Sequence, residues 1–155
     1  MDIETWHPLS VHFPIAFLSL SGLLSIYLVF KFNKSLSYFN LGLLILGIIT
    51  ASISLYTGDQ EDGRVSRTIC DPTVLKTHEN YAYYMLWSFI ALLSFWLIRL
   101  YTKFEKFRIL ISILIISSSL VGVGILVYVG HLGASLVYNQ AAGVSIPNED
   151  CAGFD

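Results

Sequence analysis

Hydrophobic residues run along the chain in four long blocks, Leu9–Phe30, Leu36–Tyr56, Tyr81–Leu100 and Ile109–Val129. None carries Lys, Arg, Asp or Glu before its last residues. Each is close to the ~20 residues that a helix needs to cross ~30 Å of hydrocarbon. Strands alone cannot satisfy their backbone in lipid, so all four blocks read as helices. The short turns Lys31–Ser35 and Tyr101–Arg108 make two antiparallel hairpins. The pattern predicts an all-α, integral membrane four-helix bundle, up-down-up-down. It forms a single domain over residues 1–155, with spans at 9–30, 36–56, 81–100 and 109–130, an outer loop at 57–80 and an outer tail at 139–155.

Composition agrees. Hydrophobic residues make up 55% of the chain, charged residues only 13%, and the mean hydropathy is +0.67. A soluble fold needs a surface roughly a quarter to a third charged. Charge also orients the bundle. Lys31, Lys34, Arg99, Lys103, Lys106 and Arg108 lie in the two short turns, whereas ten of the eleven acids lie elsewhere. Basic residues beside span ends favour the cytoplasmic side. Both termini and the 57–80 loop are therefore expected on the outer side of the membrane, which is the periplasmic side if the membrane is a bacterial inner membrane. The N-terminus lacks a basic n-region and its apolar run is long, so the first span is expected to be a retained signal-anchor.

The outer segments hold both cysteines, Cys70 and Cys151. An oxidising exterior permits a disulfide between them that would tie loop to tail; two unpaired thiols are the alternative. Gly58-Asp59-Gln60-Glu61-Asp62-Gly63 has the look of a calcium loop but is too short and lacks the distal glutamate, so it reads as a solvated turn. Asp71-Pro72-Thr73 reads as a turn into an amphipathic lead-in to the third helix. Ser118, Gly122, Leu126 and Gly130, four apart, and Gly42 and Gly47 mark faces of close helix contact, or room for a flat macrocycle.

The candidate chemistry lies in the four histidines, His7, His12, His78 and His131, all at the outer end of the spans. Imidazole at a membrane boundary is costly unless it has a role. Pro8 suggests that the first helix starts at about residue 8, with His7 folded back over the bundle end and His12 directed into it. Haem b is one answer, with His12 and His78 as axial ligands, His131 as the competing ligand, and His7 orienting a ligand or a propionate. Phe13, Phe17, Tyr83, Tyr84, Trp87 and Tyr128 are available for the slot, and Arg64, Arg67 and Lys76 for the propionates. There is no Cys-x-x-Cys-His for covalent haem attachment. Copper or zinc on the same histidines is a second answer, and a structural, proton-handling or assembly role a third.

The function expected from these residues is a membrane electron-transfer module whose partners, besides lipid, are a periplasmic cytochrome or respiratory-complex subunits. The alternatives are a non-catalytic assembly subunit of a redox complex and a non-haem metal protein. A transporter is disfavoured because no charge lies mid-membrane and no span is broken there. No nucleophile constellation, phosphate loop or basic nucleic-acid patch is present, so neither a stand-alone enzyme nor nucleic-acid binding is expected.

The stretch His7-Pro8-Leu9-Ser10-Val11-His12-Phe13-Pro14-Ile15-Ala16 resembles the opening motif of a bacterial membrane family called domain of unknown function 2231, His-Pro-x-x-Val-His-Phe-Pro-Ile-Gly. The resemblance continues through His78 and through Gly130-His131-Leu132-Gly133-Ala134-Ser135-Leu136-Val137-Tyr138, then Gly143-Val144. Ala16 and Ala134 stand where the family tends to have glycine. Asn139-Gln140 follows the Val-Tyr pair where relatives often carry a histidine. The resemblance implies a four-helix membrane module often associated with Rieske and cytochrome c domains, without a settled activity.

Overall fold

The computed structural model describes residues 6–101 and 105–144. Five helices follow in order: α1 (Trp6–Ser10), α2 (His12–Phe30), α3 (Lys34–Val65), α4 (Pro72–Tyr101) and α5 (Glu105–Gln140). Four segments are long and apolar enough to cross a membrane, with α1 and α2 together making the first. Helix α2 packs on α3 and α5, and α4 on the same two, so the four long helices close a square.

The helix ends have local causes. Asn33 caps α3, its side-chain oxygen accepting the amide of Leu36 at 2.9 Å. Asp71 does the same for α4, accepting from the amide of Thr73 at 2.9 Å and its hydroxyl at 2.6 Å, with Pro72 in the first helical position. Helix α5 ends with Ala141 at φ +53° and a backbone bond from Ala142 N to Leu136 O of 3.0 Å, six residues back. The step between α1 and α2 comes from Pro14, which has no amide for the Ser10 carbonyl.

The core is one cluster along the bundle axis that includes Leu18, Leu28, Leu44, Met85, Phe89, Leu92, Trp96 and Ile115. Gly47 lets α3 approach α2 so closely that a Cβ there would overlap the Leu18 side chain. Gly122 likewise admits Phe89, whereas Gly42 and Gly130 face open space, so only part of the expected small-residue stripe serves packing. At the basic end, Arg99 is 7% exposed and reaches Ser112 of α5 and the Val29 carbonyl of α2.

The helices outrun the apolar blocks. Helix α3 continues nine residues past Tyr56, so the Gly58–Gly63 segment is helical and not a turn. Helix α4 begins at Pro72, and the connection shrinks to residues 66–71. Once a helix is nucleated, each further residue adds a backbone bond at little cost, which outweighs the turn preference of these residues. At 1.5 Å per residue α3 is about 48 Å long and α5 about 54 Å, well beyond ~30 Å of hydrocarbon. The excess lies largely at the histidine end.

Candidate functional site

A cavity of about 650 Å³ opens at that end. Its floor is apolar, with Ala51, Ala82, Met85 and Leu126. Its mouth carries Asp59, Glu61, Asp62 and Glu79, and three histidines line it: His7, His12 and His78. The chain after α5 curls over the same space through Ala142, Gly143 and Val144.

Two of the histidines meet. The rings of His7 and His78 lie edge to face with centroids 6.4 Å apart. His7 Nδ1 donates to the carbonyl of Ser54 on α3 at 2.8 Å, and His78 Nδ1 to the carbonyl of Val129 on α5 at 3.1 Å. A carbonyl only accepts, so each ring carries a proton at Nδ1, and it is Nε2 that a neutral ring leaves as its acceptor. Around His7 the hydroxyls of Ser10, Ser54 and Thr57 form a connected set. Ser54 Oγ donates to Ser10 Oγ at 3.0 Å, and Thr57 Oγ1 stands 3.5 Å from His7 Nδ1.

The pair brought together is thus His7 with His78, not His12 with His78. His7 sits inside α1, and its ring reaches the Ser54 carbonyl of α3. His12 begins α2 on an exposed face, although it borders the cavity. His131 is exposed and does not border it. The aromatic side chains expected to wall a slot mostly point to the outside of the bundle: Trp87 is 64% exposed, and Phe13, Tyr83, Tyr84 and Tyr128 are also exposed. Arg64, Arg67 and Lys76 do not border the cavity either, and Lys76 pairs with Glu79 at 2.5 Å. Cys70 is exposed in the 66–71 connection; Cys151 lies outside the described residues, so the bridge between them does too.

The centroid spacing of 6.4 Å is close to that of two imidazoles bound to one ion. With metal–nitrogen bonds of ~2 Å, two imidazoles on opposite sides of one ion have centroids roughly 6 Å apart. A hydrogen bond from the other ring nitrogen to a carbonyl is the usual support of a ligating histidine. No group of three or more His, Cys, Asp or Glu converges among the described residues. Glu61, at the mouth, has Oε1 buried without a hydrogen-bond partner.

The pattern of the family described as predicted membrane protein (DUF2231) matches residues 4–146. The chain belongs to this family. As in the family's description, it is a membrane protein, and its four apolar helices make it a multi-pass one. Searches among curated proteins and among solved structures give no match.

Proposed function

We propose that this DUF2231 member is a haem b-binding electron-transfer module with His7 and His78 as the axial ligands. The observation that carries the proposal is the His7–His78 pair. Two imidazoles with ring centroids 6.4 Å apart, each with Nδ1 tied to a carbonyl, flank a cavity of about 650 Å³. That volume lies within the range of organic-ligand sites and is far more than a bare ion needs. The mostly apolar floor and the two-histidine donor set suit a macrocycle whose iron takes two protein ligands. When bound, haem would supply one-electron exchange. The chain's own part is to hold the two rings, fix their tautomers and keep water from the floor.

In this reading the histidine end faces the periplasm of a bacterial inner membrane, because the basic turns favour the cytoplasm. The electron partner is a periplasmic cytochrome or another respiratory-complex subunit. A Cys70–Cys151 bridge would hold the tail over the site.

A second reading has one observation in its favour. Asp59, Glu61, Asp62 and Glu79 give the mouth a negative character, and Glu61 Oε1 is an orphan acceptor. Both features suit a bare copper or zinc ion better than haem propionates.

The test is the visible spectrum of the full chain, purified in mild detergent from haem-replete cells, oxidised and after dithionite. A Soret band with sharp reduced α and β bands is expected. Folded, colourless protein would overturn the haem reading. Metal analysis of the same sample would then separate a copper or zinc site from an assembly role.

A further inference from the structure

His7 and His78 are held by one arrangement built twice. Each ring donates Nδ1–H to a carbonyl of a neighbouring helix, Ser54 of α3 or Val129 of α5. Four residues further along each of those helices stands a glycine, Gly58 or Gly133. In both cases the ring lies against that glycine. A Cβ at Gly58 would stand 3.0 Å from His7 Cε1 and 3.1 Å from Nδ1. A Cβ at Gly133 would stand 3.3 Å from His78 Cε1. Gly63 on α3 and Gly124 and Gly130 on α5 meet nothing within 4 Å, so the contact is particular to these two positions.

The four-residue spacing has a physical cause. In an α-helix the carbonyl of residue n accepts the amide of residue n+4. A side chain at n+4 leans back over the turn before it and so covers that carbonyl. Glycine leaves the second lone pair of the oxygen open to an outside donor. The pattern carbonyl-x-x-x-glycine is therefore a seat for an imidazole edge. Among the described residues it holds a histidine ring once on α3 and once on α5, at opposite corners of the square.

We infer that Gly58 and Gly133 are positioning residues, which hold His7 and His78 in the Nδ1–H tautomer by leaving the Ser54 and Val129 carbonyls open to their rings. For its purpose the inference rests on the proposed ligand pair, since matched seats present two equivalent Nε2 atoms. For its test it does not.

The experiment is long-range proton–nitrogen NMR of the histidine rings in the full-length apo protein in micelles, at neutral pH. In the wild type both His7 and His78 are expected as Nδ1–H. In Gly58→Ala the His7 signal shifts to the Nε2–H tautomer while His78 is unchanged; in Gly133→Ala the reverse holds. Gly124→Ala, at an open position, changes neither. Unchanged tautomers in both seat variants overturn the inference. Should Gly58→Ala not fold, Gly133→Ala, whose contact is looser, decides the question at His78. Selective tautomer shifts in a protein that takes up no haem uphold the seats and overturn the haem reading. Haem uptake with unresponsive tautomers does the opposite.

Discussion

The indole N–H of Trp96 on α4 is donated to the hydroxyl of Ser25 on α2, 2.8 Å away across the diagonal of the bundle. The same oxygen accepts Asn40 Nδ2 at 2.9 Å, and Asn40 Oδ1 accepts the Ser21 hydroxyl at 2.8 Å. All four side chains are fully buried. Replacing Ser25 by Ala orphans two donors where no water can serve them. The expected cost is about 1–3 kcal/mol, towards the low end because polar contacts in membranes are modest. Reversible unfolding in mixed detergent micelles should show the loss as a lower SDS midpoint; an unmoved midpoint would mean that Trp96 and Asn40 find other acceptors.

The histidine geometry makes a ranked prediction. If haem binds as proposed, His7→Ala and His78→Ala should each remove its low-spin spectrum, because among the histidines these two rings meet. His131→Ala should leave it unchanged, since that side chain does not border the cavity. His12→Ala should keep the low-spin bands with at most a small shift. Loss of the bands in His12→Ala with retention in His7→Ala would reverse the assignment.

Ala141 adopts φ +53° at the end of α5, a left-handed conformation that costs a residue with a Cβ roughly 1–2 kcal/mol. Glycine takes it freely but loses more entropy on folding. Ala141→Gly should therefore stabilise the protein by about 1 kcal/mol or slightly less. Thermal unfolding in detergent is the measurement, and a lower melting temperature would contradict the capping geometry.

Asp71 predicts a pH effect. Its hydrogen bonds from the Thr73 hydroxyl and amide hold its carboxyl below the ordinary value of 3.8. A depressed folded value means that the contribution to stability is fully present above the unfolded pKa and is lost as pH falls through the folded one. Amide exchange at Thr73 should therefore stay slow at neutral pH and quicken, relative to its neighbours, only below about pH 4. In Asp71→Asn that acid-dependent step should disappear, because the cap no longer titrates.

The four spans and the gathering of histidines at one end were legible in the sequence because lipid imposes a length and excludes charge. The inward faces were not. In a soluble bundle, hydrophobicity tells inside from outside, but lipid is as apolar as a core, so Trp87 and Tyr84 at the surface read no differently from Phe89 and Trp96 within. The extent of α3 was hidden by Gly58, Asp59 and Gly63, whose turn preferences are weak against a helix already formed. His7 was misread as lying outside a helix because Pro8 marked a helix start, whereas α1 begins at Trp6. A signal for the seats was there in principle: a glycine just beyond the apolar block on the second helix and another just beyond that on the fourth.

The overshoot of α3, α4 and α5 has an electrical consequence. It puts the His7–His78 pair at one boundary of the bilayer, at the end away from Arg99 and the other basic turn residues. A charge in the middle of a membrane feels a large part of the transmembrane voltage, about 2.3 kcal/mol per elementary charge and 100 mV for a full crossing. A charge gained or lost at the boundary crosses almost none of that field. Any electron or proton exchanged at this pair would therefore proceed at nearly the same equilibrium in an energised and a de-energised membrane, and would itself store no energy across it.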